Sequence, residues 1–220
     1  MKPPILITGC ARSGTSLTAG VVDICGAFGG SLRPGGTPNP KGMFENNEII
    51  QDIIKPYLDS IGMDKMGQDP LPKLEDLVPY PKLKEKVENV MMGDGYECGP
   101  WYFKGAKTCL IWPLWHKAFP KAKWIIVRRD ALSIARSCMN TSFMRAFSNV
   151  EGWLDWVKVH ETRFNEMHKA GLDIKEIWPE EAIQGNLSWL QMLIEELGLD
   201  WKDKEVKEFI TPEYWHYDLS

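Results

Sequence analysis

The chain has 220 residues, of which 44% are apolar and 25% are charged, and its formal net charge is −4. This length and composition are typical of a globular domain with a sizeable core and exclude a disordered chain. The negative net charge gives no reason to expect a nucleic acid or an anionic membrane as a partner. Any bound anion therefore requires basic residues that are brought together locally.

The cysteine content and the N-terminal sequence indicate a soluble, cytoplasmic protein. The five cysteines include no C-x-x-C pair, which favours free thiols in a reducing compartment over a disulfide framework or a zinc site. No apolar run has the length of a membrane span, and the first strand is too short for a signal-peptide core. We therefore expect a single domain over residues 1–220, with no metal site and no membrane insertion.

The first predicted elements are a strand, a tight loop and a helix. Residues 5–8 are apolar and rich in β-branched side chains, residues 9–14 form a turn bounded by glycines, and apolar residues recur at helical spacing from Thr15. Such a loop directs backbone N–H groups and the positive end of the helix dipole at one point, which suits a phosphate or a sulfate. The residues predicted to hold this anion are Arg12, Ser13, Gly14, Thr15 and Ser16.

The spacing of this loop is close to the nucleoside-triphosphate motif G-x-x-x-x-G-K-[ST], but Thr15 occupies the lysine position. In that motif the lysine reaches the β- and γ-phosphates and the following hydroxyl binds Mg²⁺. Its replacement indicates a donor with fewer phosphates at this end and no metal. An ordinary turn between a strand and a helix, which binds nothing, is the alternative.

Residues 28–42 contain five glycines and three prolines, which excludes regular structure. We interpret this segment as a lid or acceptor loop, and a solvated connector is the alternative. A helix is predicted through residues 49–58, with Asn46 or Asn47 as its cap. Glu45 would then lie just before a helix N-terminus, where a carboxylate can project into a cleft or simply serve as a helix-start charge.

A second buried strand is predicted over residues 101–103. Lys107 follows it, at the edge where open α/β sheets bind ligands, and a surface lysine is the alternative. Around this strand, the sequence predicts a proline-rich loop with a short helix over 70–81, an amphipathic helix over 82–92, a turn over 93–99, and a helix over 110–119 interrupted near Pro113.

A second candidate anion site follows the apolar strand predicted over residues 123–127. The strand ends in two arginines, and a helix is predicted over residues 131–139. Ser137 stands eight positions after Arg129, about two helical turns along. Two arginines before a helix N-terminus suit an anion, while pairing with nearby carboxylates is the structural alternative.

The remaining chain continues the alternation of strands and helices. The sequence predicts helices over 151–170, 186–197 and 202–209, a strand over 172–178, and an aromatic tail over 214–217. This alternation predicts an α/β fold, with a P-loop-like parallel β-sheet and helices on both faces.

The two blocks together resemble the sulfotransferase superfamily, which transfers a sulfuryl group from 3′-phosphoadenosine 5′-phosphosulfate (PAPS). Residues 9–16, GCARSGTS, are similar to the 5′-phosphosulfate loop, in the arginine-bearing form of tyrosylprotein and bacterial sulfotransferases. Residues 119–130, FPKAKWIIVRRD, with Ser137 are similar to the family's 3′-phosphate motif. The resemblance extends from the first strand to the helix after Arg129, with a weaker match over residues 190–199.

The resemblance implies roles for the candidate residues. The loop from Arg12 to Ser16 would bind the 5′-phosphosulfate, and Arg129 and Ser137 the 3′-phosphate. Lys107 would reach the bridging oxygen, with no metal, and the product would be 3′-phosphoadenosine 5′-phosphate.

The general base is less directly implied. One branch of the family carries Lys-Thr-His with the histidine as base, where this chain has Cys109. Other branches use a glutamate after the first helix, which implies Glu45 as the base, with Glu48 second and His116 third.

Two other functions are compatible with the sequence. A P-loop small-molecule kinase would require the absent lysine and an aspartate for Mg²⁺, for which Asp130 is available. A catalytically silent nucleotide-binding module is the other alternative. The sequence does not determine the class of acceptor or the oligomeric state.

Overall fold

A four-stranded parallel sheet organises the computed structural model, which describes residues 1–36 and 39–210. The spatial order of the strands is β2-β1-β3-β4, and all three pairings are parallel. This confirms the predicted α/β fold with a parallel sheet. The strands are β1 Ile5–Gly9, β2 Tyr102–Lys104, β3 Lys123–Val127 and β4 Ile174–Ile177.

The strand bounds differ from the predicted ones by one or two residues. The bounds of β3 agree, β1 extends one residue further to Gly9, and β4 is shorter than predicted. The second strand is shifted by one residue, so that Lys104 is its last residue. Because strand ends are set by pairing with neighbours, here Gly9 with Val127, they are not visible in the apolar run alone.

Each face of the sheet carries its own core cluster, because alternate strand residues point to opposite faces. Leu6, Trp124 and Ile126 pack on one side, which we call the α6 face. Ile7 and Ile125 pack on the other, which we call the α1 face. Helices therefore cover both faces, as predicted.

The α-helices pack in two layers, with α2 to α6 on the α6 face and the other four on the α1 face. In the described ranges, no helix is long and apolar enough to cross a membrane. The helices are α1 Thr15–Ile24, α2 Lys55–Ser60, α3 Leu83–Gly93, α4 Trp112–Ala118, α5 Ala131–Met139, α6 Val150–Lys169, α7 Pro179–Ile183, α8 Ser188–Glu196 and α9 Asp203–Phe209.

Several helical segments differ from the prediction. A π-helical segment, Ile49–Ile54, precedes α2, and a 3₁₀ segment, Ala106–Ile111, precedes α4 where a single interrupted helix was expected. Helix α7 was not predicted, because its five residues are too few for a periodic pattern. The short helix in the proline-rich loop is a 3₁₀ turn, Leu74–Asp76. The predicted aromatic tail over 214–217 lies outside the described residues.

The strand order places β1 beside β3, although β2 lies between them in the chain. After β1 the chain forms β2 on one side of β1, and β3 then pairs with the other side of β1. The carboxyl ends of β1 and β3 therefore form a topological switch point. In open α/β sheets, ligands bind at such points. The two predicted anion-binding loops begin at these two strand ends.

Gly9 allows the close approach of β1 to β3. A Cβ at this position would lie 2.5 Å from the backbone oxygen of Val127 and 2.8 Å from Ser13 Oγ. Atoms cannot approach so closely, so a side chain here would push the two strand ends apart.

Gly9→Ala is expected to lower the free energy of unfolding by about 1–3 kcal/mol, because the new methyl group overpacks the junction of β1 and β3. Denaturant unfolding measures this loss. Gly93→Ala is the matched control, because a Cβ there meets nothing within 4 Å. A loss in Gly9→Ala no larger than in the control would contradict the proposed contact.

Candidate active site

A cavity of about 290 Å³ opens at the switch point, near the lower end of the range for small-molecule sites. Six basic side chains and one carboxylate line it within the described part of the chain. This excess of positive charge is local, because the chain as a whole carries a net charge of −4. These charged residues are Arg12, Arg33, Lys41, Glu45, Lys104, Lys107 and Arg129.

The loop after β1 forms one wall of the cavity. Gly14 has a φ of 97° at the start of α1, a left-handed conformation that glycine adopts readily. Arg12 is also left-handed, with a φ of 73°, which is unusual for a residue with a side chain. Thr15 and Ser16 line the cavity as well, at the N-terminus of α1.

Ser13 is the one predicted loop residue that does not line the cavity. Its side chain is fully buried, and its Oγ has no hydrogen-bond partner among the described residues. Its backbone N–H donates to the oxygen of Cys10 at 3.2 Å. Binding by Ser13 stays a prediction.

The two predicted anion sites adjoin each other. Arg12 Nε donates to Ser137 Oγ at 3.0 Å, and Arg129 Nη1 donates to the backbone oxygen of Arg12 at 3.0 Å. Arg129 Nε also lies 3.5 Å from Glu180 Oε1, so the alternative pairing with a carboxylate is present too. Because β1 and β3 are neighbours, their following loops meet. Arg12, Arg129 and Ser137 therefore line one cavity.

Glu45 lies at the centre of the basic residues. Its side chain is 7% exposed, and Oε1 accepts a hydrogen bond from Lys104 Nζ at 3.0 Å. Arg33 Nη1 lies 3.3 Å from Oε2. Burial acts to raise the pKa of Glu45, but the nearby positive charges of Lys104, Lys107 and Arg33 outweigh it and hold that pKa below its usual value. Glu45 is therefore an ionised carboxylate in the cavity.

The two glutamates considered from the sequence have different surroundings. Glu48 is exposed and does not line the cavity. Asn46 Oδ1 accepts from the backbone N–H of Ile49, so the predicted cap is present. This cap starts the helix immediately after Glu45, which fixes the direction in which Glu45 projects.

Lys107 also lines the cavity, but it lies inside the 3₁₀ segment and not at the end of the strand. Burial lowers the pKa of Lys107, and the negative charge of Glu45 acts against this effect. Cys109 is fully buried, and burial raises its pKa to about 12, so its thiol is neutral. Neither Cys109 nor His116 lines the cavity.

Lys104 is a functional candidate that sequence reasoning missed. It ends β2 and is 4% exposed, and its Nζ donates to Ser16 Oγ, to the oxygen of Met43 and to Glu45 at 3.0–3.3 Å. The available signal was its position as a lysine directly after an apolar strand. The predicted strand ends one residue before Lys104, so the sequence favours Lys107 as the lysine that follows the strand.

The glycine-rich segment contributes to the site. Arg33 and residues 39–42 line the cavity, and Arg33 pairs with Glu45. Lys41 Nζ donates to the backbone oxygen of Phe209, which joins this segment to the end of α9. The segment therefore forms part of the cavity wall and is not only a connector. Among the described residues, no group of three or more His, Cys, Asp or Glu side chains could hold a metal ion.

The fold and the site together define a P-loop-like α/β domain in which the two predicted anion-binding loops adjoin at the carboxyl edge of the sheet. A family model described as "Sulfotransferase family" matches residues 3–203. The chain belongs to this sulfotransferase family, which confirms the resemblance found in the sequence. No curated protein sequence matches the chain significantly.

Solved sulfotransferase structures share the fold. Sulfotransferase STF1 from Mycobacterium tuberculosis H37Rv has 13% identity and a TM-score of 0.54, over 97% of this chain and 72% of its own. The sulfotransferase domain of the Synechococcus PCC 7002 olefin synthase has 15% identity and a TM-score of 0.58, over 98% and 79%. Sulfotransferase STF9 from Mycobacterium avium has 12% identity and a TM-score of 0.52, over 99% and 69%.

The ionised state of Glu45 predicts a pH-dependent contribution to stability. Because the pKa of Glu45 is lowered in the folded protein, the contribution is complete above the usual pKa of a glutamate and is lost as the pH falls through the lowered pKa of the folded state. At pH 7, Glu45→Gln should lower the free energy of unfolding by up to about 3–5 kcal/mol, because buried Lys104 loses its counter-charge. Denaturant unfolding from neutral to acidic pH measures whether the difference from wild type shrinks.

Glu48→Gln is the matched control for this experiment, because Glu48 is exposed and has no ion-pair partner in the described ranges. Its stability curve should run parallel to that of the wild type. A Glu45→Gln deficit of equal size at neutral and acidic pH would show that the carboxylate charge is not what stabilises the cluster.

Proposed function

We propose that the protein transfers a sulfuryl group from PAPS to a hydroxyl or amine of an acceptor molecule. The observation that supports this most strongly is the concentration of six basic side chains around a single carboxylate, in an acidic chain of the sulfotransferase family. PAPS carries two anionic ends on one nucleoside, and the cavity offers two adjoining anion-binding loops. Transfer gives 3′-phosphoadenosine 5′-phosphate and the sulfated acceptor.

Residues of the two loops would hold the donor. Arg129 and Ser137 would bind the 3′-phosphate, with Arg12 between this site and the 5′-phosphosulfate. Thr15 and Ser16 would present backbone N–H groups at the N-terminus of α1, whose dipole favours an anion. The side-chain hydrogen bond between Arg12 and Ser137 supports this arrangement, because it already orients both polar groups into the cavity.

Lys104 and Lys107 would stabilise the charge that develops on the bridging oxygen as its bond to sulfur breaks. Fixed cations in a buried site are most effective where charge appears in the transition state. Lys104 is the better ordered of the two, since its Nζ has three oxygen partners. Lys107 has no hydrogen-bond or ion-pair partner among residues 1–36 and 39–210, so its ammonium group is available to a ligand.

Glu45 would act as the general base. The acceptor oxygen attacks sulfur, the sulfur–oxygen bond to the phosphate breaks, and Glu45 takes the proton. Its pairing with Lys104 lowers its basicity while the donor is absent. A bound sulfuryl group would draw Lys104 towards itself, which would weaken this pairing and raise the pKa of Glu45 when a base is needed.

Donor recognition is tested with Arg129→Ala. Loss of charge-assisted bonds to the 3′-phosphate should weaken binding of 3′-phosphoadenosine 5′-phosphate about ten- to a hundredfold, roughly 1.5–3 kcal/mol. Adenosine 5′-phosphosulfate has no 3′-phosphate, so its affinity should change little. Isothermal titration calorimetry measures both affinities.

Arg128→Ala is the matched control for Arg129→Ala, because Arg128 does not line the cavity and pairs with Glu161 and Glu176. Equal losses for the two nucleotides in Arg129→Ala would refute its assignment to the 3′-phosphate. Tighter binding of ATP with Mg²⁺ than of 3′-phosphoadenosine 5′-phosphate by the wild type would refute the proposed donor.

The base is tested by single-turnover kinetics of Glu45→Gln. The substitution keeps the shape but removes the proton acceptor, so the rate should fall by about 10²–10⁴ while the donor still binds. Glu48→Gln is the comparison and should turn over at the wild-type rate. A slow Glu48→Gln beside a normal Glu45→Gln would reverse the assignment.

A further inference from the structure

The cavity contains apolar side chains from both faces of the sheet. Leu17, Ile183 and Phe209 come from the α1 face. Ile183 belongs to the same short helix as Glu180, the partner of Arg129, and so lies near the proposed 3′-phosphate site. The apolar group of the α1 face therefore suits the base of the nucleotide, which leaves the α6 face for the acceptor.

One part of the cavity lining on the α6 face consists of six uncharged side chains, with Lys107 at its edge. We call it the uncharged wall, and it consists of Met66, Gln68, Phe143, Met144, Trp156 and His160. It adjoins the proposed transfer site, because a Cβ on Gly67 would lie 2.9 Å from Cγ of Lys107. An acceptor on this wall would thus have one end close to Lys107.

Most polar atoms of the uncharged wall are engaged within the protein. Gln68 Nε2 donates to the oxygen of Phe143, and Gln68 Oε1 accepts from the backbone N–H groups of Arg145 and Ala146. Trp156 Nε1 donates to the oxygen of Gly67 at 3.0 Å. These bonds fix residues 66–68 to the other two segments of the wall, residues 143–144 and 156–160. They leave its exposed surface mainly apolar.

His160 provides the exception. It is 1% exposed, and its Nδ1 lies 2.9 Å from the backbone oxygen of Trp156. Because a carbonyl oxygen can only accept, Nδ1 carries the proton and Nε2 is an acceptor. Within the described ranges Nε2 has no hydrogen-bond partner. Burial lowers the pKa of His160 to about 4, so the ring is neutral at neutral pH.

We infer that the acceptor is an uncharged, apolar molecule with two hydrogen-bond donors, one reacting near Glu45 and Lys107 and the other bound by Nε2 of His160. The reacting end of the acceptor would lie beside Lys107, whereas a charged group at the His160 end would lose its hydration with no counter-charge from the uncharged wall. His160 is thus a specificity-determining residue and not a second base. This inference rests on the proposed function, since it names the acceptor for that reaction.

The inference is tested by binding three naphthalene probes to the protein saturated with 3′-phosphoadenosine 5′-phosphate. Calorimetry should give 2,6-dihydroxynaphthalene an affinity about two- to tenfold above that of 2-naphthol, the range expected for one net hydrogen bond. The charged 6-hydroxy-2-naphthoate should bind at least about tenfold more weakly than 2-naphthol. His160→Phe should remove the advantage of the second hydroxyl and leave 2-naphthol within about twofold.

The matched control is His168→Phe, which removes an exposed histidine from the same helix, where it pairs with Glu176 outside the cavity. It should keep the preference for 2,6-dihydroxynaphthalene. A preference that persists in His160→Phe, or equal binding of 6-hydroxy-2-naphthoate and 2-naphthol, would overturn the inference. Even if His160→Phe does not fold, the wild-type protein alone shows whether 6-hydroxy-2-naphthoate binds more weakly than 2-naphthol.

Failure of the proposed function gives a different result. In that case 3′-phosphoadenosine 5′-phosphate would not bind, and the probes would be titrated against the free protein. The same order of affinities would still support an uncharged wall with a hydrogen-bond acceptor. Binding of the nucleotide with the opposite order of probes would leave sulfuryl transfer in place and refute the acceptor class.

Discussion

The parallel pairing of β1 with β3 is the constraint on which the site depends. It brings the carboxyl ends of two strands together although they are more than a hundred residues apart in the chain. Each strand runs into a loop and the N-terminus of a helix, so the two predicted anion-binding loops share one edge of the sheet. Arg12 joins them through Ser137 and Arg129. The close approach requires a residue without a side chain at Gly9.

Six basic side chains around one cavity repel one another, and two carboxylates of the described residues limit this repulsion, Glu45 inside the cavity and Glu180 beside Arg129. Glu45 forms ion pairs with Lys104 and Arg33. Its negative charge also acts to raise the pKa of Lys107. The same carboxylate is the candidate base, which connects the stability of the empty site with its chemistry. In the proposed reaction, a donor that is anionic at both ends would replace Glu45 as the partner of the cations. Binding of the donor and activation of the base are then coupled by one set of charges.

The two faces of the sheet divide the cavity by chemistry. In the proposed function, the residues assigned to the phosphates and the apolar group of the α1 face would hold the nucleotide, and the uncharged wall on the α6 face would hold an apolar acceptor. Lys107 packs beside Gly67, between the charged residues and this wall. A sulfuryl group held by the charged residues would therefore meet an acceptor held by the wall. Under this proposal, different layers of the fold would carry donor and acceptor specificity.

The sequence by itself determined the family, the parallel α/β fold and the two loops, because these depend on short spacings and on alternation of apolar runs. The pattern from Gly9 to Ser16 and the eight-residue step from Arg129 to Ser137 are local features of this kind. Only the tertiary structure decided that Lys104 pairs with Glu45, 59 residues away, and that Arg12 contacts Ser137, 125 residues away. It alone also placed His160 in the cavity. Such contacts follow from strand order and side-chain packing, which the local pattern of residues does not contain.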